Sequence, residues 1–136
     1  MELRTYLRFN DGKCREAMNF YKECFGGELT LQTVSESPYA KEMPPEAQER
    51  IMDSCLKTGH FKIYGSDMMM DKATIGDNVS MFITTETPEE VTSLFDKLSQ
   101  SGNAFSKPEK MSTGEVHSML TDKYGIEWMI AYMVNR

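Results

Sequence analysis

The amino-acid sequence predicts an α+β protein built from two βαβββ modules. Two observations carry this prediction. An amphipathic helical segment, preceded by a strand and closed by glycine, occurs twice, and each copy is followed by three extended segments. The chain of 136 residues has the length of one ordinary domain. We therefore expect a single domain over residues 1–136, with internal modules at about 1–70 and 77–136.

The first half begins with an alternating strand from Leu3 to Phe9. Asp11 is the predicted N-cap of the following helix, which ends at Gly26 and Gly27. Further strands are predicted at Glu28 to Ser35, Arg50 to Lys57 and Phe61 to Ser66. A polar insertion from Glu36 to Glu49, with a short helical turn at Pro45 to Gln48, is interpreted as a loop that serves as a lid or a dimer arm.

The second half repeats this order, starting with a strand from Asn78 to Thr84. Thr87, Pro88 and Glu90 form a capping box with proline at the first helical position, and Gly102 closes the helical segment. The remaining strands are predicted at Ala104 to Lys107, Glu115 to Thr121 and Glu127 to Val134.

Composition excludes several classes of partner. The net charge of −6 would repel the phosphates of nucleic acid, and no apolar stretch is long enough to span a membrane. The cysteines Cys14, Cys24 and Cys55 are odd in number and lack the paired spacing of a metal site, which predicts reduced thiols. We expect a cytoplasmic protein with neither nucleic acid nor a membrane as partner.

The order and spacing of several motifs resemble the vicinal oxygen chelate superfamily of glyoxalases, dioxygenases and bleomycin-resistance proteins, in particular its PhnB-like branch. The motifs are Tyr6-Leu-Arg-Phe-Asn10, Cys14-Arg-Glu-Ala17, Phe25-Gly-Gly-Glu-Leu29, Asn78-Val-Ser80 and Thr121-Asp-Lys-Tyr-Gly125. The resemblance implies that the two modules form a curved mixed sheet around a cup, which in this glyoxalase-like fold often holds a divalent metal. It also implies that a homodimer is common.

The four ligand positions of metal-binding members correspond by motif to Arg4, Tyr64, Asn78 and Met129. A permanent cation, a phenol, a neutral amide and a thioether do not form a ligand set for a hard divalent ion. We therefore predict no metal and no other cofactor. Relatives of this branch often carry a methyltransferase label, which we do not adopt because no methyl-donor motif is present.

Strand alternation assigns one set of side chains to the face that points away from the helices. The predicted ligand-binding residues are Arg4, Tyr6, Arg8, Asp53, Tyr64, Asn78, Ser80, Phe82 and Met129. Arg4 and Arg8, together with Lys62, would suit the carboxylate or phosphate of a small organic anion. The alternative is that these cations form structural ion pairs with Glu127, Glu115 or Asp53.

His117 and Glu115 are the candidate catalytic residues, because the carboxylate two positions away could tune the imidazole as an acid or base. The same neighbourhood is also common in strands without a catalytic role. Cys55 shares the parity of Asp53 and could face the same side, but we expect it to be buried, which is the usual fate of a free cysteine.

We predict a metal-independent small-molecule-binding protein of the glyoxalase/bleomycin-resistance type. Two alternatives stay open. One is a lyase- or isomerase-like enzyme of the same superfamily with a relocated or absent metal, and the other is a partner-binding domain with a filled cup.

Overall fold

The computed structural model describes residues 1–134, which form eight strands and two α-helices. The first module contains β1 (Thr5–Phe9), α1 (Cys14–Phe25), β2 (Glu28–Thr33), β3 (Ile51–Lys57) and β4 (Lys62–Asp67). The second contains β5 (Met81–Thr85), α2 (Pro88–Leu98), β6 (Asn103–Lys110), β7 (Val116–Thr121) and β8 (Glu127–Tyr132). The chain divides into two compact units between Thr74 and Ile75.

Both modules have the same sheet topology. The strand order is β1-β4-β3-β2 in the first sheet and β5-β8-β7-β6 in the second. In each sheet the first strand runs parallel to the last, and all other neighbours are antiparallel. The predicted α+β fold of two βαβββ modules is therefore confirmed.

Burial alternates along the strands because one face of each sheet packs against the helix of its own module. Phe9 and Ile63 are buried on the α1 side of the first sheet, and Trp128 and Ile130 are buried on the α2 side of the second. We call the opposite face of each sheet its helix-free face. The side chains that alternate with the buried residues along each strand lie on this helix-free face.

The start of α1 differs from the prediction. Asp11 has a φ of 57° in the turn before the helix, and the N-cap residue Lys13 makes no side-chain capping bond. The buried carboxylate of Asp67 caps the helix instead. Its Oδ1 accepts the backbone N–H of Cys14 at 2.8 Å, and its Oδ2 accepts that of Ile51 at 2.8 Å. The Asp11 cap was wrong because the capping group comes from β4 rather than from the local turn.

The start of α2 agrees with the prediction. The Thr87 hydroxyl oxygen accepts the backbone N–H of Glu90 at 3.3 Å, and the hydroxyl donates to the Glu90 carboxylate at 3.1 Å. Pro88 occupies the first helical position, where its missing N–H costs nothing. The capped start at Thr87 is confirmed.

Gly27 and Gly102 show why each helical segment of the sequence is followed by glycine. A Cβ added at Gly27 would collide with the carbonyl oxygen of Lys57, and one at Gly102 would collide with that of Thr121. In each module the chain after the helix thus passes directly against the backbone of a strand, which only glycine permits.

Several boundaries are shifted by a few residues. β1 begins at Thr5 rather than Leu3, and β5 begins at Met81 rather than Asn78. The polar insertion contains 3₁₀ turns at Ala40–Glu42 and Pro45–Ala47, so the helical turn expected from Pro45 is confirmed. Within residues 1–134, neither helix is long and apolar enough to cross a membrane.

Candidate functional site

The helix-free face of the first sheet carries the cations predicted to bind a ligand. Tyr6 and Arg8 alternate with the buried side of β1, and both are exposed. Arg4 is exposed immediately before β1, and Tyr64 lies on the same face of β4. Asp53 is exposed on β3, where it alternates with the buried Ser54. The alternation argument thus places these residues on one face.

Two arginines and two tyrosines on this face form what we call the Arg–Tyr cluster: Arg4, Tyr6, Arg8 and Tyr64. The guanidinium carbon of Arg4 lies 5.2 Å from the Tyr64 ring centroid, and that of Arg8 lies 5.5 Å from the Tyr6 ring centroid. Tyr6 and Tyr64 are register partners on parallel strands. Each of two neighbouring rings therefore carries a guanidinium within cation–π distance.

Arg4 pairs with a residue that the sequence analysis did not consider. Its Nη2 donates to Glu2 Oε2 at 3.1 Å, in a pair whose side chains are 53% and 63% exposed. The hydrogen bond and charge of Arg4 hold the pKa of the Glu2 carboxyl below its usual value, and Lys62 adds to this shift. The structural pairs expected with Glu127, Glu115 or Asp53 do not form within residues 1–134. Glu2 was missed because it precedes the strand.

Cys55 lies on the helix-free face rather than in the core. It is partly exposed and is the register partner of Tyr64 on β4. Partial burial of the ring raises the pKa of the Tyr64 phenol above its usual value, the charge of Arg4 opposes this shift, and Cys55 adds to it. Tyr64 is thus a neutral hydrogen-bond donor at physiological pH. The strand parity of Cys55 was the correct signal, and the general tendency of cysteine to be buried was misleading.

The helix-free face of the second sheet is more apolar. Phe82, which is 51% exposed, is the register partner of Met129, and Met129 is the partner of Met119 on β7. Met119 was not among the predicted site residues, although it lies two positions from His117 on β7 and therefore on the same face. Ser80 and Asn78 both precede β5, so strand alternation does not apply to them.

His117 and Glu115 are joined as predicted. His117 Nε2 lies 3.2 Å from Glu115 Oε1, and Glu115 Oε2 accepts the backbone N–H of Val134 at 3.1 Å. The Glu115 side chain is 19% exposed and that of His117 is 35% exposed. A backbone bond thus fixes the carboxylate, which in turn holds one imidazole nitrogen and leaves Nδ1 without a hydrogen-bond partner in the described part of the chain.

The residues at the four metal-ligand positions implied by the resemblance do not fit a divalent ion. Arg4 brings a permanent positive charge there, and the phenol of Tyr64 keeps its proton. Asn78 is a weak neutral donor, and Met129 offers a soft sulfur. Across residues 1–134, no group of three or more His, Cys, Asp and Glu side chains is arranged to hold a metal ion.

The sequence of the chain matches one family of known proteins. A family model described as 3-demethylubiquinone-9 3-methyltransferase matches residues 1–131. No curated protein matches the chain at a significant level.

Solved structures of low identity share the fold. Protein PA1353 from Pseudomonas aeruginosa is 24% identical, with a TM-score of 0.79 and coverage of 95% of this chain and 96% of that chain. The PhnB protein from Bacillus cereus is 24% identical, with a TM-score of 0.77 and coverage of 98% and 100%. A glyoxalase/bleomycin resistance protein/dioxygenase family enzyme from Burkholderia phytofirmans PsJN is 13% identical, with a TM-score of 0.61 and coverage of 96% and 98%.

The family model covers nearly the whole chain, and the chain with its two βαβββ modules has the fold of glyoxalase-related proteins. The protein therefore belongs to the 3-demethylubiquinone-9 3-methyltransferase family, the PhnB-like branch of the vicinal oxygen chelate superfamily.

Proposed function

We propose that the protein binds a small organic anion on the helix-free face of the first sheet, without using a metal ion. The observation that carries the proposal is the Arg–Tyr cluster, in which Arg4 lies over Tyr64 and Arg8 lies over Tyr6 on adjacent strands. The cations supply attraction for a negative group, and the rings supply a flat surface for the body of the ligand.

The charges of this face support an anionic ligand. Arg8 forms no ion pair with a carboxylate within residues 1–134, and Arg4 is held only by the exposed Glu2. A guanidinium stacked on a ring keeps its N–H edge available, and that edge matches a carboxylate or phosphate with two parallel hydrogen bonds. Binding therefore needs no large rearrangement of the sheet.

The tyrosines support a ligand with an aromatic or otherwise flat body. Tyr6 is 44% exposed, and Tyr64 is its direct neighbour on β4. Aromatic rings favour offset stacking with other flat groups. The phenol of Tyr64, whose pKa is raised further above its usual value, can also donate a hydrogen bond to an oxygen of the ligand.

The chemistry of the Arg4 position supports binding without a metal. A guanidinium repels a divalent cation and attracts the same anionic oxygens that a metal would bind. In this protein the fixed charge of Arg4 takes the place of a Lewis acid in attracting the ligand. It does not activate the ligand for reaction in the way that a bound metal does.

The His117–Glu115 pair favours one alternative, a lyase- or isomerase-like enzyme that works without the usual metal. The anchored Glu115 carboxylate fixes the imidazole, whose Nδ1 can accept or donate a proton. In this second candidate function, His117→Gln removes turnover of a substrate. Finding turnover that His117→Gln leaves unchanged would reject it.

Isothermal titration calorimetry with benzoate tests the proposed binding function. Arg4→Gln and Arg8→Gln should each weaken binding by about tenfold, because each removes one charge-assisted interaction. Arg15→Gln is the matched control, since Arg15 is exposed on α1 at the other side of the sheet. Its affinity for benzoate should equal that of the wild type.

Addition of EDTA separates this proposal from metal-dependent binding. The benzoate affinity should not change when EDTA is present, and all variants should retain the unfolding temperature of the wild type within a few degrees. The proposal fails if no organic anion binds in the millimolar range, or if Arg15→Gln weakens binding as much as Arg4→Gln does.

A further inference from the structure

Three cations lie in one row at the end of the first sheet. Lys57 on β3 and Lys62 on β4 are direct register partners, and both are exposed. Thr5 is the register partner of Ile63, so Arg4, one residue before Thr5, lies beside Lys62. We call Arg4, Lys62 and Lys57 the cationic row. Lys57 and Lys62 belong to the helix-free face by strand alternation, and Arg4 lies over the ring of Tyr64 on the same face.

The pKa shift of Glu2 indicates that Lys62 lies near the Arg4 end of the Arg–Tyr cluster. Glu2, which hydrogen-bonds to Arg4 at 3.1 Å, is also subject to the charge of Lys62, which helps to lower its pKa. The carboxylate of Glu2 therefore lies in the field of two members of the row. The Glu2 carboxylate shows that the space beside Arg4 and Lys62 accepts an anionic oxygen.

The two lysines of the row are not neutralised by their own module. Glu28 is the register partner of Lys57 on β2, but no ion pair joins Lys57 or Lys62 to a carboxylate within residues 1–134. Like charges that lie directly opposite one another in a sheet are destabilising. An anion bound across the row would remove this repulsion.

We propose that the cationic row is a subsite for a doubly charged phosphoryl group of the ligand, and that Glu2 occupies it until the ligand displaces it. The inference rests on the proposed function, since the body of the ligand would lie on the tyrosines of the Arg–Tyr cluster. Arg4 belongs to both the cationic row and the Arg–Tyr cluster, so it joins the phosphoryl subsite to the aromatic surface.

The chemistry of the three cations favours a phosphoryl group over a carboxylate. A phosphate monoester presents three terminal oxygens and close to two negative charges at neutral pH. The guanidinium of Arg4 can bind two of these oxygens, and the lysine ammonium groups act as point charges for the rest. A single carboxylate has too few oxygens to engage all three residues.

Titration calorimetry with phenyl phosphate, benzoate and inorganic phosphate tests the inference in the 136-residue chain. Wild-type protein should bind phenyl phosphate about tenfold more tightly than benzoate, since one further charge-assisted contact has about this effect. Lys62→Gln and Lys57→Gln should each weaken the binding of phenyl phosphate more than that of benzoate, so that this preference falls at least threefold. Lys97→Gln, an exposed lysine of α2, is the matched control and should keep the full preference.

Glu2→Gln tests the role of the internal carboxylate. Removal of its charge should tighten the binding of phenyl phosphate several-fold, because the ligand then displaces no anion. Inorganic phosphate should bind more weakly than phenyl phosphate, and equal affinity would mean that the row binds free phosphate without any use of the rings.

The outcomes separate the two proposals. If benzoate binds in an Arg4-dependent way but phenyl phosphate binds no more tightly, the phosphoryl subsite is wrong and the proposed function stands. If the preference exists but survives both lysine substitutions, the cationic row is also rejected. If neither probe binds the wild type, both proposals fail.

Discussion

The guanidinium carbon of Arg4 lies 5.2 Å from the centre of the Tyr64 ring, although Arg4 precedes the first strand of its module and Tyr64 belongs to the last. The parallel pairing of β1 with β4 brings them together. The same contact places a fixed positive charge at a position that the resemblance assigns to a metal ligand. It is therefore the structural basis for proposing anion binding without a metal.

The capping carboxylate of Asp67 should be a major determinant of stability. Asp67→Ala leaves the buried N–H groups of Cys14 and Ile51 without their partner, which should lower the free energy of unfolding by about 3 kcal/mol. Urea unfolding followed by circular dichroism measures the change. Asp11→Asn is the control and should change stability by less than about 0.5 kcal/mol, because Asn also tolerates the positive φ of this position. Equal effects of the two substitutions would contradict the assignment of Asp67 as the cap.

The N-cap at Thr87 should make a smaller contribution. Thr87→Ala removes the bond to the backbone N–H of Glu90 and should cost about 1 kcal/mol of stability. Thr92→Ala, at an exposed position inside α2, should be neutral or slightly stabilising because alanine has the higher helix propensity. Urea midpoints of both variants check this pair, and a larger loss for Thr92→Ala would refute the cap.

The three cysteines should react at different rates with an aromatic disulfide reagent at pH 8. Cys14 and Cys24 are buried, whereas Cys55 is partly exposed. One thiol per native chain should therefore react quickly, and all three should react in denaturant. Mass spectrometry of the modified protein identifies the site, and Cys55→Ser should abolish the fast phase. A fast phase that persists in this variant would place the exposed thiol elsewhere.

Alkaline pH should destabilise the protein partly through Cys14. Burial raises the pKa of this thiol to about 12, well above the ordinary value near 9. Between these two values the unfolded chain releases the thiol proton while the folded chain keeps it. The free energy of unfolding should therefore fall as pH rises, by up to about 1.4 kcal/mol per pH unit from this group.

Urea unfolding of the wild type and Cys14→Ala at pH 8, 9 and 10 measures the difference. The variant is expected to be less stable at pH 8 because it leaves a cavity, but its stability should fall less steeply with pH. Parallel pH dependence of the two proteins would show that Cys14 has no part in the effect.

The fold could be predicted because its signals are local and repeated. The Thr87 cap and the glycines at Gly27 and Gly102 are visible in the sequence, and the structure shows the contacts that require them. The cap of α1 could not be predicted, since Asp67 acts across 53 positions of the chain. Strand alternation does not indicate which distant carboxylate reaches a helix terminus.

Part of the candidate site was also predictable from a local signal, the alternation of side chains along the strands. Parity placed Tyr6, Arg8 and Tyr64 on one face, because alternation holds in β1 and β4. The partner of Arg4 was not predictable, because Glu2 lies outside any strand. The juxtaposition of Lys57 with Lys62 depends on the register across the turn between them, which the structure supplies.

The most direct test of the central claim is a nuclear magnetic resonance titration that follows the arginine Nε–Hε signals while benzoate is added. We expect saturable shifts of the Arg4 and Arg8 signals with one common Kd. The signals of Arg15, which is exposed on α1, and of Arg50, whose guanidinium donates to the carbonyl oxygens of Met68 and Met69, should stay in place. Unchanged Arg4 and Arg8 signals, or equal and non-saturating shifts of all four, would contradict anion binding at the Arg–Tyr cluster.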